Sequence, residues 1–280
     1  MRIRAGYEII FDCPVPVPMM LTLSVHTSRQ GDLETPDWIR TDPVVPVNKY
    51  VDGFGNVCSR ILTPAGRTTL SADFVIRDTG LVDDYAPDAP QIPVEDLPDE
   101  VLIFLLGSRY CETDRLSNVA WSLFEGTTPG WARVQAICDY AHNHIAFDYQ
   151  LARPTRSAWE AHEEKVGVCR DFAHLAVALC RCMNIPARYC TGYLGDIGVP
   201  VVGVPDFAAW LEVWLGGRWY VFDARNNRPR LGRILLGRGR DATDVAISNQ
   251  FGPAFLAQFT VISEELPDEQ GRLTPILPWP

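Results

Sequence analysis

The 280-residue chain carries eight cysteines, at 13, 58, 111, 138, 169, 180, 182 and 190. None forms a C-x-x-C pair, and no histidine cluster shows metal-ligand spacing. One of them, Cys169, has an informative context. In "EEKVGVCRDFAHLAVALC" it lies three residues before Phe172, at the head of a stripe of Phe172, Leu175, Ala176, Leu179, Cys180 and Met183 with helical spacing. A thiol in the first turn of a helix meets unpaired backbone N–H groups and the positive end of the helix dipole. That setting lowers a thiol's pKa, and the same N–H groups hold the oxyanion that forms when a thiolate attacks a carbonyl. Gly167 lets the backbone turn sharply just ahead of the helix. The chemistry on offer is nucleophilic acyl transfer; the competing reading is a packed core cysteine. Cys180, Cys182 and Cys190 lack these features and read as structural.

A second candidate lies downstream. "VPDFAAWLEVWLGGRWYVFDARNN", residues 204–227, reads as a hairpin with Gly216-Gly217 as its turn. That turn sets Leu215 opposite Arg218, Trp210 opposite Asp223 and Ala208 opposite Arg225. Ala208 and Asp223 then share a face as diagonal neighbours, roughly 7–8 Å apart. Taken alone, Asp223 is an ordinary strand-end aspartate. Trp210, Trp214 and Trp219 share its face; core packing is their default role, and Trp210 could also shield a site from water. Six arginines follow between Arg225 and Arg240, in a chain of formal net charge −10. Salt bridges to the excess carboxylates are the plain reading. The functional one is a rim, including Arg238 and Arg240, that grips an anionic substrate group.

These residues need elements to position them. Residues 1–82 have β character: "MMLTLSVHTS" alternates, "ADFVIRD" is rich in strand formers, and Asp52–Asn56 place a glycine-bearing turn before a strand. A small β-sandwich is expected there, followed by a Pro- and acid-rich linker over 83–100. Beyond it the pattern turns helical, in "DRLSNVAWSLF", in "TTPGWARVQAICDYAHNHI" and in the segment that opens at Cys169. "PARYCTGYLG" and "FLAQFTVISEEL" read as strands.

With these features assembled, the sequence resembles the transglutaminase-like superfamily, and in particular its bacterial cysteine-peptidase branch. "GVCRDFA" is similar to the nucleophile motif at a helix N-terminus. "AAWLEVWLGGRWYVFDARN" is similar to the two-strand motif that reads His-Ala-Trp and then a strand ending Phe-Asp. "GRGRDATDVAI" resembles a segment that often follows. The resemblance is best over about residues 155–250. It implies an α+β fold, with an N-terminal β-sandwich and a papain-like transglutaminase core over 101–280. It implies a Cys–His–Asp triad in which Cys169 is the nucleophile, Asp223 orients the base, and position 208 holds the base. That position is alanine. Trp210 matches the motif, so sliding the alignment recovers no histidine. His26, His142, His144, His162 and His174 read as surface or satisfied polar residues, and His174 points away from Cys169 along its helix. The implied activity is that of a cysteine hydrolase or acyl transferase acting on a peptide or side-chain amide through a thioester, impaired by Ala208. The alternative is a non-catalytic peptide- or amide-binding protein that keeps the cleft.

Composition narrows the partners. An acidic chain argues against nucleic acid or an anionic membrane surface. No apolar run is long enough to span a bilayer, and the first twenty residues hold no apolar h-region, so a cytosolic location with reduced thiols is expected. No EF-hand-like loop and no nucleotide-binding Gly-rich loop is present, so neither a metal nor a cofactor is expected. The expected partner is a peptide or protein amide substrate.

Overall fold

The structure, a computed structural model, describes residues 1–203 and 205–278. Six strands open the chain: β1 (Arg2–Cys13), β2 (Val17–Leu21), β3 (Arg40–Asp42), β4 (Asn48–Val51), β5 (Val57–Thr63) and β6 (Gly66–Arg77). A helical region follows, with α1 (Asp99–Leu102), α2 (Thr113–Phe124), α3 (Trp131–His144), β7 (Ala146–Phe147), α4 (Ala158–Glu164), β8 (Val166–Gly167) and α5 (Cys169–Cys182). The chain ends in β9 (Ala187–Leu194), β10 (Phe207–Leu215), β11 (Arg218–Phe222), β12 (Arg233–Gly239), β13 (Ser248–Gln250) and β14 (Phe255–Leu266).

Two four-stranded antiparallel sheets, ordered β14-β1-β6-β3 and β13-β2-β5-β4, form the sandwich. Alternation explains their packing. In β1 the side chains of Ile3, Ala5, Tyr7, Ile9, Phe11 and Cys13 are buried, and they meet Met19, Leu21 and Ile61 of the other sheet in one apolar cluster. The fold class matches expectation, but the division at residue 101 does not hold for the sheets. Strands β13 and β14 come from the far end of the chain and complete the sandwich. Residues 248–266 therefore belong to it and not to the core. Segment 83–100 is also more than a spacer. It is strapped over the hairpin, with Gly216 N–H donating to Pro90 O at 2.9 Å and Trp131 N–H to Ala89 O at 3.0 Å.

The core sheet is ordered β11-β10-β9-β12. Helix α5 lies across it and is itself covered by α2, α3 and α4. Its apolar residues are buried all round, not on one stripe only. Most of the polar groups it buries find partners, although His174 Nδ1 has none. Arg181 donates to the carbonyls of Ala187, Leu106 and Arg240, and His174 Nε2 accepts from Ala242 N–H at 3.1 Å. Among the described residues no helix is long and apolar enough to cross a membrane.

Candidate active site

Cys169 is the first residue of α5, as its spacing predicts. Two short elements deliver it there: β8 pairs in parallel with β7, and Val168 then caps the helix. Asp171 fixes the cap. Its carboxylate accepts from Val168 N–H at 2.9 Å and from Arg156 at 3.1 Å, and both Asp171 and Arg156 are buried. The role of Gly167 differs from the expected sharp turn. A Cβ at 167 would stand 2.6 Å from the Asp171 Cβ, so close approach of the capping side chain is what requires glycine.

The thiol rests against the leading edge of β10. Its Sγ lies 3.9 Å from Phe207 O, and the Ala209 N–H acts on the sulfur from the same strand. This edge is open because the ladder between β10 and β11 stops at Leu211 and Phe222. The expected low thiol pKa is not what the surroundings produce. Burial pushes the Cys169 thiol up to about 12, the Asp206 carboxylate adds to the rise, and N–H donors from Ala209 and Arg170 offset only part of it. Asp223 also acts on the thiol, less strongly than Asp206.

The hairpin has the expected register as far as Leu211 opposite Phe222, where the ladder ends, so the expected pairs Trp210–Asp223 and Ala208–Arg225 do not form. Leu215 faces Arg218, Trp214 faces Trp219, and Gly216 and Gly217 turn the chain with φ of 56° and 89°. Val204, where the quoted stretch begins, lies outside the described residues. Asp223 is buried just past the end of β11, and its oxygens are well supplied. Oδ1 accepts from Asn226 N–H at 2.8 Å; Oδ2 accepts from Asn226 Nδ2 at 2.8 Å and from Arg233 Nη2 at 2.9 Å. Burial alone would raise this carboxyl, but the Arg233 charge and the Asn226 donors hold it below the ordinary aspartate range. Arg233 also bonds Asp83 at 3.0 Å, and its guanidinium lies over the Trp210 ring at 5.1 Å. The counter-charge of Asp223 is therefore an arginine from β12.

Ala208 sits opposite Gly192 of β9, half-buried, and packs with Val221 against Cys190, Trp210 and Leu235. The five histidines are all engaged elsewhere. His26 bonds Ser28 and Phe54 O; His142 donates from Nδ1 to the carbonyls of Ala224 and Arg225. His144 stacks on His162 with centroids 4.8 Å apart, and His162 bonds Tyr140. His174 stacks on Tyr110 at 5.0 Å, and burial keeps its imidazole far below the ordinary histidine range, hence neutral.

The arginine segment is largely spoken for by carboxylates. Arg240 makes a two-point bridge to Asp244, Arg230 pairs with Asp196, and Arg233 with Asp83 and Asp223. Arg238 stands 3.9 Å from Glu212. Trp210 and Arg238 line a cavity of about 280 Å³ that also reaches Arg29, Asp83 and Arg230; Arg240 does not line it. Three residues near the site were not read from sequence: Asp206, Tyr149, whose hydroxyl acts on the Asp206 carboxyl, and Arg233 as partner of Asp223. Asp206 carried a faint signal as an acid two residues ahead of position 208.

Comparison with known proteins fits this geometry. The family described as "Transglutaminase-like superfamily" matches residues 118–224, a span that contains Cys169 and ends just past Asp223. An uncharacterized protein of Mycobacterium tuberculosis is 39% identical over 221 residues, covering 69% of this chain and 68% of the relative. One from Mycobacterium leprae is 29% identical over 219 residues, covering 74% and 77%. A Cytophaga hutchinsonii crystal structure, described as a "Putative Cysteine Protease", superposes with a TM-score of 0.86 at 28% identity, over 99% of this chain and 93% of that one. The motif order, the helix-borne thiol, the hairpin aspartate and these matches together mean that the chain belongs to the transglutaminase-like superfamily.

Proposed function

We propose that the chain is a slow cysteine hydrolase or acyl transferase that acts on a peptide or side-chain amide through a thioester on Cys169. The observation that carries this reading is the seat of the thiol: the first residue of a buried helix, pressed to an open strand edge, with the Ala209 N–H and the first amides of α5 around it. Those are the groups that acyl transfer asks for, a nucleophile beside fixed donors. The protease description of the Cytophaga hutchinsonii protein supports the same chemistry. Slowness follows from the missing base. With the thiol near 12, its thiolate fraction at pH 7 is about 10⁻⁵, against a few per cent for an ordinary cysteine. A cytosolic location belongs to the same proposal.

The second reading, a binding protein without turnover, is favoured by one observation: Asp223 is already neutralised by Arg233. Intact-mass measurement with p-nitrophenyl acetate separates the two. The enzyme reading expects a single acyl adduct that forms at neutral pH, maps to Cys169 and disappears in Cys169→Ala. Absence of a Cys169 adduct after hours at pH 7–9 would leave the binding reading in its place.

A further inference from the structure

We propose that Asp206 is the general base of this site, in place of the histidine missing at 208. The inference rests on the acyl-transfer reading above. Asp206 immediately precedes Phe207, whose carbonyl lies 3.9 Å from Sγ, so the acid enters the site on the same strand edge that holds the thiol. Phe207 N–H fixes its carboxylate, reaching Oδ1 at 2.7 Å, and the Tyr149 hydroxyl acts on the same carboxyl. Tyr149 belongs to the turn at 149–151, just after β7, the strand that pairs with the lead-in to α5. Phe207 thus links the two groups, its N–H on the Asp206 carboxylate and its carbonyl against the thiol, at the open end of the hairpin.

The electrostatics agree. Apart from burial, the Asp206 charge is the leading influence that raises the Cys169 thiol. Burial in turn lifts the Asp206 carboxyl above the ordinary aspartate range, against the pull of Phe207 N–H and Tyr149, and makes it a better proton acceptor. Cys169 and Tyr149 are the titratable groups that face it, and Arg225 stands beyond Tyr149.

The chemistry balances without any further reagent. Asp206 takes the S–H proton as Sγ bonds to the amide carbonyl carbon and the carbonyl π pair moves to oxygen. The resulting carboxylic acid gives that proton to the amide nitrogen as the C–N bond breaks, leaving a thioester and a free amine. In the second half Asp206 removes a proton from the attacking water or amine and returns it to the departing sulfur. A carboxylate is a weaker base than imidazole, so slow turnover is the expected outcome.

The test uses the full chain as wild type, Asp206→Asn, Asp206→Glu and Cys169→Ala, with two readouts. The first is the rate of Cys169 acylation by p-nitrophenyl acetate at pH 7, from intact mass. The second is the pH midpoint of Cys169 alkylation by iodoacetamide. Asp206→Asn removes a negative charge beside the thiol, so its alkylation midpoint moves down. Its acylation nonetheless falls by at least about tenfold, and Asp206→Glu restores part of the loss. A merely structural or repressive acid cannot move the two readouts in opposite directions. Acylation that is unchanged or faster in Asp206→Asn overturns the assignment while leaving Cys169 chemistry intact. Acylation that persists undiminished in Cys169→Ala overturns the acyl-transfer reading itself, and the role of Asp206 with it.

Discussion

Restoring a histidine at position 208 is the sharpest perturbation of this site. The strand edge at Ala208 already meets the thiol, through Phe207 O at 3.9 Å, while the Ala208 side chain packs with Cys190, Trp210 and Leu235 and that of Ala209 packs with the Cys169 cluster, so an imidazole at 208 must reach round the strand edge to meet Sγ. A carboxylate has about four acceptor positions, and the Asn226 and Arg233 bonds occupy three on Asp223. One remains for the second ring nitrogen. Asp223 can therefore still fix the tautomer, but Arg233 has cancelled much of the charge that would stabilise an imidazolium. A positioned base contributes about 10²–10⁴-fold. With its orienting acid already paired, the lower end applies, and Ala208→His should accelerate Cys169 acylation about a hundredfold. The larger ring must fit among Cys190, Trp210 and Leu235, an overpacking cost of about 1–3 kcal/mol, seen as a loss of a few degrees in Tm. The assay is acylation at pH 7 by intact mass alongside thermal unfolding. Adding Asp223→Asn should remove at least about tenfold of the gain, since it favours the wrong tautomer. A variant that folds with the expected Tm yet acylates and alkylates no faster than wild type would refute the reach of an imidazole at 208 to the thiol.

Other consequences are open to direct measurement. Arg233→Met leaves Asp83 and Asp223 buried without their counter-charge and should cost about 3–5 kcal/mol. In wild type, the depressed Asp223 carboxyl contributes stability above its unfolded pKa and loses it as pH falls through the folded value. In the variant both carboxyls sit above their unfolded values, so the penalty is greatest at neutral pH and shrinks on acidification; a Tm deficit equal at pH 5 and pH 8 would contradict this. Gly167→Ala drives a Cβ to 2.6 Å from that of Asp171, which Arg156 and Val168 hold in place, so the start of α5 must shift; thermal unfolding should show a loss of about 1–3 kcal/mol, together with slower Cys169 acylation. Iodoacetamide labelling of wild-type Cys169 should rise about tenfold per pH unit from pH 7 to 10, as expected for a thiol near 12; a plateau below pH 9 would show an activated thiol instead.

What the sequence made legible was local. The stripe from Phe172 to Met183 announced α5 and put Cys169 at its head, because helical periodicity is written in consecutive residues. The Gly216-Gly217 turn set the hairpin register, because a two-residue turn leaves little choice. The strand at 255–266 was visible from its composition, but its partner was not, since pairing with β1 spans most of the chain and has no local mark. The same limit explains the arginines. Read in sequence, Arg233 is one of six in a polar run; in space it belongs to β12, and its partners Asp83 and Asp223 lie 150 and 10 residues away. The thiol shows the conflict most directly. Its helix position argues for a low pKa, but burial and Asp206 act from tertiary structure and are stronger.

These two surprises are linked by electrostatics. A buried aspartate at the end of β11 needs a cation or several donors, whatever stands at 208. In a complete triad an imidazole supplies part of that need. Here Arg233 supplies it from the far edge of the sheet, lying over Trp210 to reach Asp223. Asp223 is thus supplied with donors rather than left as part of a triad with a hole in it. Asp223 keeps its charge, its hydrogen bonds and its structural value without serving a base. The proton chemistry left to Cys169 then falls to the strand edge that holds the thiol, and the acid at that edge is Asp206.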